Sequence, residues 1–118
     1  MKTILIVEDV ELNIDLLTQI LEDDYRILVA RDGAQGVELA CRYAPDLVLM
    51  DISLPVMDGY EATRTIRKTL PSLPVIGLSA HAMTGDAEKA LAAGCNDYLT
   101  KPIDETLLLA KLKTYLRG

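Results

Sequence analysis

Leu47-Val48-Leu49-Met50-Asp51 is an apolar run that ends on a carboxylate and passes directly into the turn-forming Ser53-Leu54-Pro55-Val56-Met57-Asp58-Gly59. An apolar stretch without a polar break reads as a strand buried on both faces, which needs helix above and below it. Open sheets of this kind bind ligands in the crevice beyond the carboxyl ends of their strands. Asp51 stands at that end. Alone it could simply begin a turn punctuated by Pro55 and Gly59; other polar residues, however, reach the same edge.

Thr3-Ile4-Leu5-Ile6-Val7 is a second buried strand, ending in Glu8-Asp9. From Glu11 to about Asp23 the pattern turns helical. At about 100° per residue, Asn13, Leu16, Leu17 and Ile20 fall on one face and Glu11, Asp15, Thr18 and Glu22 on the other. Arg26-Ile27-Leu28-Val29-Ala30 is a short strand. Asp32-Gly33 then makes a turn and N-cap for a helix with Val37, Ala40 and Cys41 inward, ending before Pro45. After the Asp51 strand, Asp58-Gly59-Tyr60-Glu61 opens a helix with Ala62 and Ile66 inward, closed by Pro71 and Pro74. Pro74 to Ser79 is a fourth strand. Met83 to Ala93 is a helix stopped by Gly94 at C′, where a left-handed backbone is tolerated. Asp97-Tyr98-Leu99-Thr100-Lys101-Pro102 is a strand ending in a cation, and Asp104 caps a last helix carrying Leu108, Leu112 and Leu116.

Strands alternating with helices through short links specify a parallel sheet covered on both faces with right-handed crossovers: a doubly wound α/β domain of five strands and five helices. With 118 residues the chain is one domain, residues 1–118, large enough for a core. It has neither Phe nor Trp, so the core is aliphatic. The net charge of −6, without a cluster of Lys and Arg, argues against a nucleic-acid surface. Cys41 and Cys95 have no metal-type spacing and, without a signal peptide, read as reduced thiols of a soluble cytoplasmic protein. Charges recur too often for a membrane span.

In such a sheet the strand ends share one edge, so Glu8, Asp9, Asp51, Ser79 and Lys101 converge although they are far apart in sequence. Three carboxylates together repel, and a cation resolves this. All-oxygen ligands suit Mg²⁺, which keeps waters and often a phosphoryl group in its remaining positions. Lys101 and Ser79 add a point charge and a hydroxyl that suit phosphoryl oxygens. The plainer reading is a Lys–Asp ion pair with spare surface acids.

Val7-Glu8-Asp9, the Met50–Gly59 segment, Leu78-Ser79-Ala80-His81-Ala82-Met83 and Tyr98-Leu99-Thr100-Lys101-Pro102 together resemble the receiver domains of two-component response regulators. The likeness covers the whole chain and looks closest to single-domain chemotaxis or cell-cycle regulators and to receivers of hybrid histidine kinases. It implies a flavodoxin-like strand order of 2-1-3-4-5. It implies that Asp51 accepts a phosphoryl group from a phosphohistidine of a histidine kinase or histidine phosphotransfer protein. Asp9, Asp51 and the Ser53 carbonyl would hold Mg²⁺, with Glu8 acting through water; Lys101 would pair with Asp51. Ser79 and the Ala80 amide would then draw onto the phosphoryl group, and Tyr98 would turn into the vacated space. Glu8 stands where many members have Asp. His81 lies at a position that tunes phosphate lifetime in the family, and the Lys101–Pro102 peptide is expected to be cis.

Two other classes share parts of this pattern. A haloacid dehalogenase-like phosphohydrolase would also use Asp51 and Mg²⁺, but wants a second Asp where this chain has Ser53. A flavin-binding protein would need a phosphate loop after the first strand, where Glu8 and Asp9 would repel the phosphate. For the partner, Val10 and Ile14 fall on an apolar edge of the first helix, away from its expected core face. They are the expected docking residues for a helix of the phosphodonor.

Overall fold

The computed structural model describes residues 1–54, 56–79 and 86–116. Its elements are β1 (Thr3–Val7), α1 (Glu11–Leu21), β2 (Arg26–Ala30), α2 (Gly33–Tyr43), β3 (Leu47–Asp51), α3 (Gly59–Thr69), β4 (Val75–Ser79), α4 (Asp86–Ala93), β5 (Asp97–Thr100) and α5 (Glu105–Tyr115). All strand pairings are parallel, in the order β2-β1-β3-β4-β5. This is the flavodoxin-like order expected from the motifs.

The continuous apolar runs are explained by the two layers that cover the sheet. Every residue of β3 and β4 is buried. Leu5, Val7, Val48, Met50 and Val75 face one core with Ala40, Ala62, Ile66 and Ala90. Their neighbours Ile4, Ile6, Leu47, Leu49, Ile76 and Leu78 face a second core with Leu17, Leu21, Leu108 and Leu112. The period-two alternation of a strand therefore sends successive residues to α2, α3 and α4 on one side and to α1 and α5 on the other.

Local signals set the ends. Asp32, Asp58 and Asp104 cap their helices by accepting the backbone N–H of Gln35 at 2.7 Å, Glu61 at 2.9 Å and Leu107 at 3.0 Å. Gly94 has φ 112°, the left-handed position expected of it, and the Lys101–Pro102 peptide is cis. The beginning of the helix placed from Met83, like Pro55, Ala80, His81, Ala82 and Gly118, lies outside the described residues.

Two helix faces differ from expectation. On α1 the buried residues are Ile14, Leu17 and Leu21, while Leu12 and Leu16 are exposed and Asn13 and Ile20 are half-buried. The core face is thus turned by about 100° from the Asn13–Leu16–Ile20 stripe, taking about 100° per residue. Ile14 is only 4% exposed, which corrects its assignment as a docking residue: it packs into its own domain and offers no surface. Apolar residues cover a little more than half of the circumference of α1, wider than one core face, so composition alone leaves the phase open and contact with the sheet sets it. On α2, Cys41 is exposed, and Gly33, Gly36 and Ala40 form the buried stripe. A side chain at Gly36 would run into Val7, so small residues let α2 lie close to β1.

Gly59 fixes the distance between the organising strand and α3. Its N–H donates to the Ile52 carbonyl at 3.0 Å. A Cβ there would lie 2.3 Å from the Asp51 carbonyl oxygen and 2.8 Å from the Ile52 Cα, backbone atoms that cannot step aside. Gly59→Ala is expected to destabilise the fold by about 1–3 kcal/mol, read as a melting temperature lower by roughly 5–15 °C.

Candidate functional site

The register brings the predicted residues together. Val7 pairs with Met50, so Glu8 and Asp9 leave β1 beside Asp51 at the end of β3. Asp51 pairs with Leu78 and Ser79 with Thr100, which places the ends of β4 and β5 next in line. The Lys101 N–H then donates to the Ser79 carbonyl at 2.6 Å, tying the cation's backbone to the serine's strand.

Glu8 is fully buried, Asp51 and Ser79 are each 4% exposed, and Asp9 is exposed. One carboxylate oxygen from each of Glu8, Asp9 and Asp51 lies within 4.8 Å of the others, a spacing that suits an all-oxygen divalent-cation site. The Lys101 ammonium lies 2.5 Å from Glu8 Oε1 and 3.5 Å from Asp51 Oδ2. The Ser53 N–H donates to Asp51 Oδ1 at 3.1 Å, and the N–H groups of Asp9 and Val10 donate to Glu8 Oε2 at 3.0 and 3.1 Å. Each buried carboxylate is therefore oriented by main chain as well as by charge.

The two buried acids are not equivalent. Burial pushes the Asp51 carboxyl up, proximity to Glu8 pushes it further, and together they outweigh the Ser53 amide and Lys101, giving about 6. Burial also works to raise Glu8, but the hydrogen bonds from Lys101 and the Val10 amide, with its tie to Asp51, overcome it and leave Glu8 below its ordinary value. Glu8 thus keeps its charge and Asp51 carries the strain of like charges in a poorly solvated place.

Tyr98 is half-buried against the core beside α2 and α3, and Val10 is 47% exposed at the start of α1. Ala80 and His81 lie outside the described residues. The sequence pattern missed Leu16. With Asn13, Glu8, Lys101, Pro102 and Ile103 it lines a small cavity of about 60 Å³ beside the site, and it is 44% exposed. Its signal was the Ile14-Leu17-Leu21 spacing, which takes the core face and leaves Leu12 and Leu16 outside. Val56 was missed too: it has φ 68° and is 85% exposed in the turn after β3. Left-handed backbone is costly for a β-branched residue, and such strain gathers near functional sites.

A parallel sheet of this order, with an acidic trio and a lysine at its carboxyl edge, defines a class of signalling module. The response regulator receiver domain family matches residues 4–113, and the chain belongs to it: it is a receiver domain of two-component signalling. Among its relatives, the polar-differentiation response regulator DivK of Brucella ovis is 39% identical over 118 residues, covering 98% of this chain and 96% of that protein. The receiver domain of a sensor histidine kinase from Pseudomonas aeruginosa is 41% identical, with a TM-score of 0.92 over 99% of this chain and 98% of that one. It was crystallised with a magnesium ion coordinated in its active-site cleft. A CheY-like receiver domain from Methanospirillum hungatei is 32% identical with a TM-score of 0.91, covering 98% and 94% of the two chains. Among the described residues no helix is long and apolar enough to cross a membrane.

The raised Asp51 carboxyl predicts a pH-dependent stability. Its folded value of about 6 exceeds the ordinary 3.8, so the ionised form costs stability above about pH 6, and the cost fades as pH falls toward 3.8. Asp51→Asn cannot ionise. In metal-free buffer it is expected to melt about 5 °C above the parent near neutral pH, with the gain shrinking through the range below pH 6. Thermal melts across that range check both the sign and the window.

Proposed function

We propose that this domain accepts a phosphoryl group on Asp51 from the phosphohistidine of a histidine kinase or histidine phosphotransfer protein. The observation that carries the reading is that Asp51 ends the central strand within ligand distance of Glu8 and Asp9 and 3.5 Å from the Lys101 ammonium. An Asp51 carboxylate oxygen attacks phosphorus, the P–N bond of the donor breaks, and the imidazole leaves with the bonding pair. The aspartyl phosphate is the product, so the domain modifies itself and turns over no separate substrate.

Asp9, Asp51 and the Ser53 carbonyl would hold Mg²⁺, with Glu8 near enough to act directly or through water. A bound Mg²⁺ supplies positive charge to the phosphoryl oxygens during in-line transfer. Lys101, 3.5 Å from Asp51, would supply a second positive charge. Main-chain donors already fix Asp51 and Glu8, so the site is largely organised before the donor arrives. The added phosphoryl charge would draw the Ser79 hydroxyl and the Ala80 amide toward Asp51. Tyr98, one residue from Leu99 of the same strand, would follow into the space released. The face around Ser79 and Tyr98 then differs between the two states, which is what a downstream protein reads. A module of this kind works in the cytoplasm, where histidine kinases display their phosphohistidine.

Docking of the donor falls to the exposed part of α1. Val10 stands beside Glu8 and Asp9, and Leu12 and Leu16, 76% and 44% exposed, take the role expected of Ile14. Leu16 borders the cavity that reaches Glu8 and Lys101, so a helix laid along this face comes close to Asp51.

Mass spectrometry after mixing with a small acyl phosphate and Mg²⁺ is expected to show one added phosphoryl group, absent in Asp51→Asn and absent in EDTA. An undiminished adduct in either case would contradict the assignment. Leu16→Asp is expected to slow transfer from a phosphorylated donor protein at least about tenfold, as loss of an apolar interface contact does. Modification by the acyl phosphate and the melting temperature should stay close to those of the parent, because Leu16 belongs to neither the core nor the carboxylate cluster.

A further inference from the structure

The arm of Glu8 is long enough for its carboxylate to meet both main chain and Lys101. Glu8 is fully buried, and its Oε2 accepts two main-chain N–H groups, from Asp9 and Val10, which lock the carboxylate in place. The other oxygen, Oε1, meets the Lys101 ammonium at 2.5 Å, whereas the gap from that ammonium to Asp51 is 3.5 Å. Lys101 is therefore held mainly by Glu8 and only loosely by the residue at the end of the central strand. An aspartate in place of Glu8 would be shorter by one carbon–carbon bond, about 1.5 Å, and could not keep both its amide donors and this contact. Asp9, by contrast, is exposed and makes no ion pair among the described residues.

We propose that Glu8 is a positioning residue for Lys101, and that a divalent cation and the Lys101 ammonium compete for its carboxylate. One oxygen of Glu8 lies within 4.8 Å of oxygens of Asp9 and Asp51. A cation seated among these three carboxylates shares Glu8 with an ammonium already in contact, and two positive charges repel across that distance. Occupation of the site thus loosens Lys101 from Glu8 and frees it toward Asp51, where a phosphoryl group would need it. By linkage, anything that draws Lys101 away from Glu8 tightens cation binding by the same factor. The metal site and the lysine become one coupled device rather than two independent helpers.

The inference rests on the reading of this edge as a metal-dependent phosphoryl site, and a double-mutant cycle separates the two. Mg²⁺ affinity is measured by calorimetry on the parent, Lys101→Met, Glu8→Asp and the double variant, with thermal melts to show that each is folded. Lys101→Met is expected to tighten Mg²⁺ about tenfold in the parent, the size of a charge-assisted contact released. In the Glu8→Asp background the same substitution should gain at least about fivefold less, because the shorter arm no longer holds the ammonium. Glu8→Gln, which keeps the volume and can still accept both amides, repeats the cycle if Glu8→Asp fails to fold. The ¹⁵N resonance of Lys101 Nζ gives a second readout: in the metal-free parent it should shift on Glu8→Gln, and Mg²⁺ should move the parent's signal toward that of the variant. Equal gains from Lys101→Met in both backgrounds, with Mg²⁺ bound normally, would overturn the competition and leave the phosphoryl site standing. A folded parent that binds no Mg²⁺ would overturn the metal-dependent reading itself.

Discussion

Like charges held close together at the edge of a dry sheet are the constraint around which this domain is arranged. Glu8 and Asp51 are both buried, Asp9 stands within ligand distance, and Lys101 brings an ammonium to the two buried acids. Buried carboxylates are tolerated only when paired, hydrogen-bonded or partly neutralised. The fold uses all three means: main-chain amides on Glu8 and Asp51, an ion pair at Lys101, and an Asp51 carboxyl that takes up a proton near pH 6. Negative charge that is incompletely compensated in the resting protein is charge that a cation can satisfy.

The scaffold has to be stiff for such an arrangement to persist. Strands buried on both faces provide this, since any shift of β1 or β3 would disturb two aliphatic cores at once. Gly59 lets α3 start directly against the end of β3, and the backbone bond from Lys101 to Ser79 joins the fifth strand to the fourth. At the opposite edge, Arg67 donates to the carbonyls of Gly94, Leu70 and Leu73 and to the Asn96 side chain, gathering the loops that begin β4 and β5.

Helix α1 carries apolar residues both on its core face and outside it. Ile14, Leu17 and Leu21 are committed to the protein's own core, while Val10, Leu12 and Leu16 remain outside. A helix that is apolar on more than one face covers its sheet and still has something to offer a partner. Because α1 begins immediately after Glu8 and Asp9, that outer face starts at the site itself.

Much of this was legible in the sequence by itself. Unbroken apolar runs fixed the strands, since only a doubly covered sheet can hide them, and the Asp caps at positions 32, 58 and 104 marked helix starts because a short acceptor satisfies orphan amides locally. The polar residue closing each of several strands foretold a shared edge, because parallel strands all end on the same side. Other features depended on contacts between distant parts of the chain. The rotation of α1, which buries Ile14 and exposes Leu16, follows from how the helix seats on the sheet, and no periodicity settles it when the apolar arc is wider than the face the sheet can cover. The pairing of Lys101 with Glu8 ahead of Asp51 turns on one methylene and two amide hydrogen bonds across 93 residues of sequence separation. Local pattern decides which segments are strand or helix; side-chain reach and packing, which exist only once the chain has closed, decide which charge meets which.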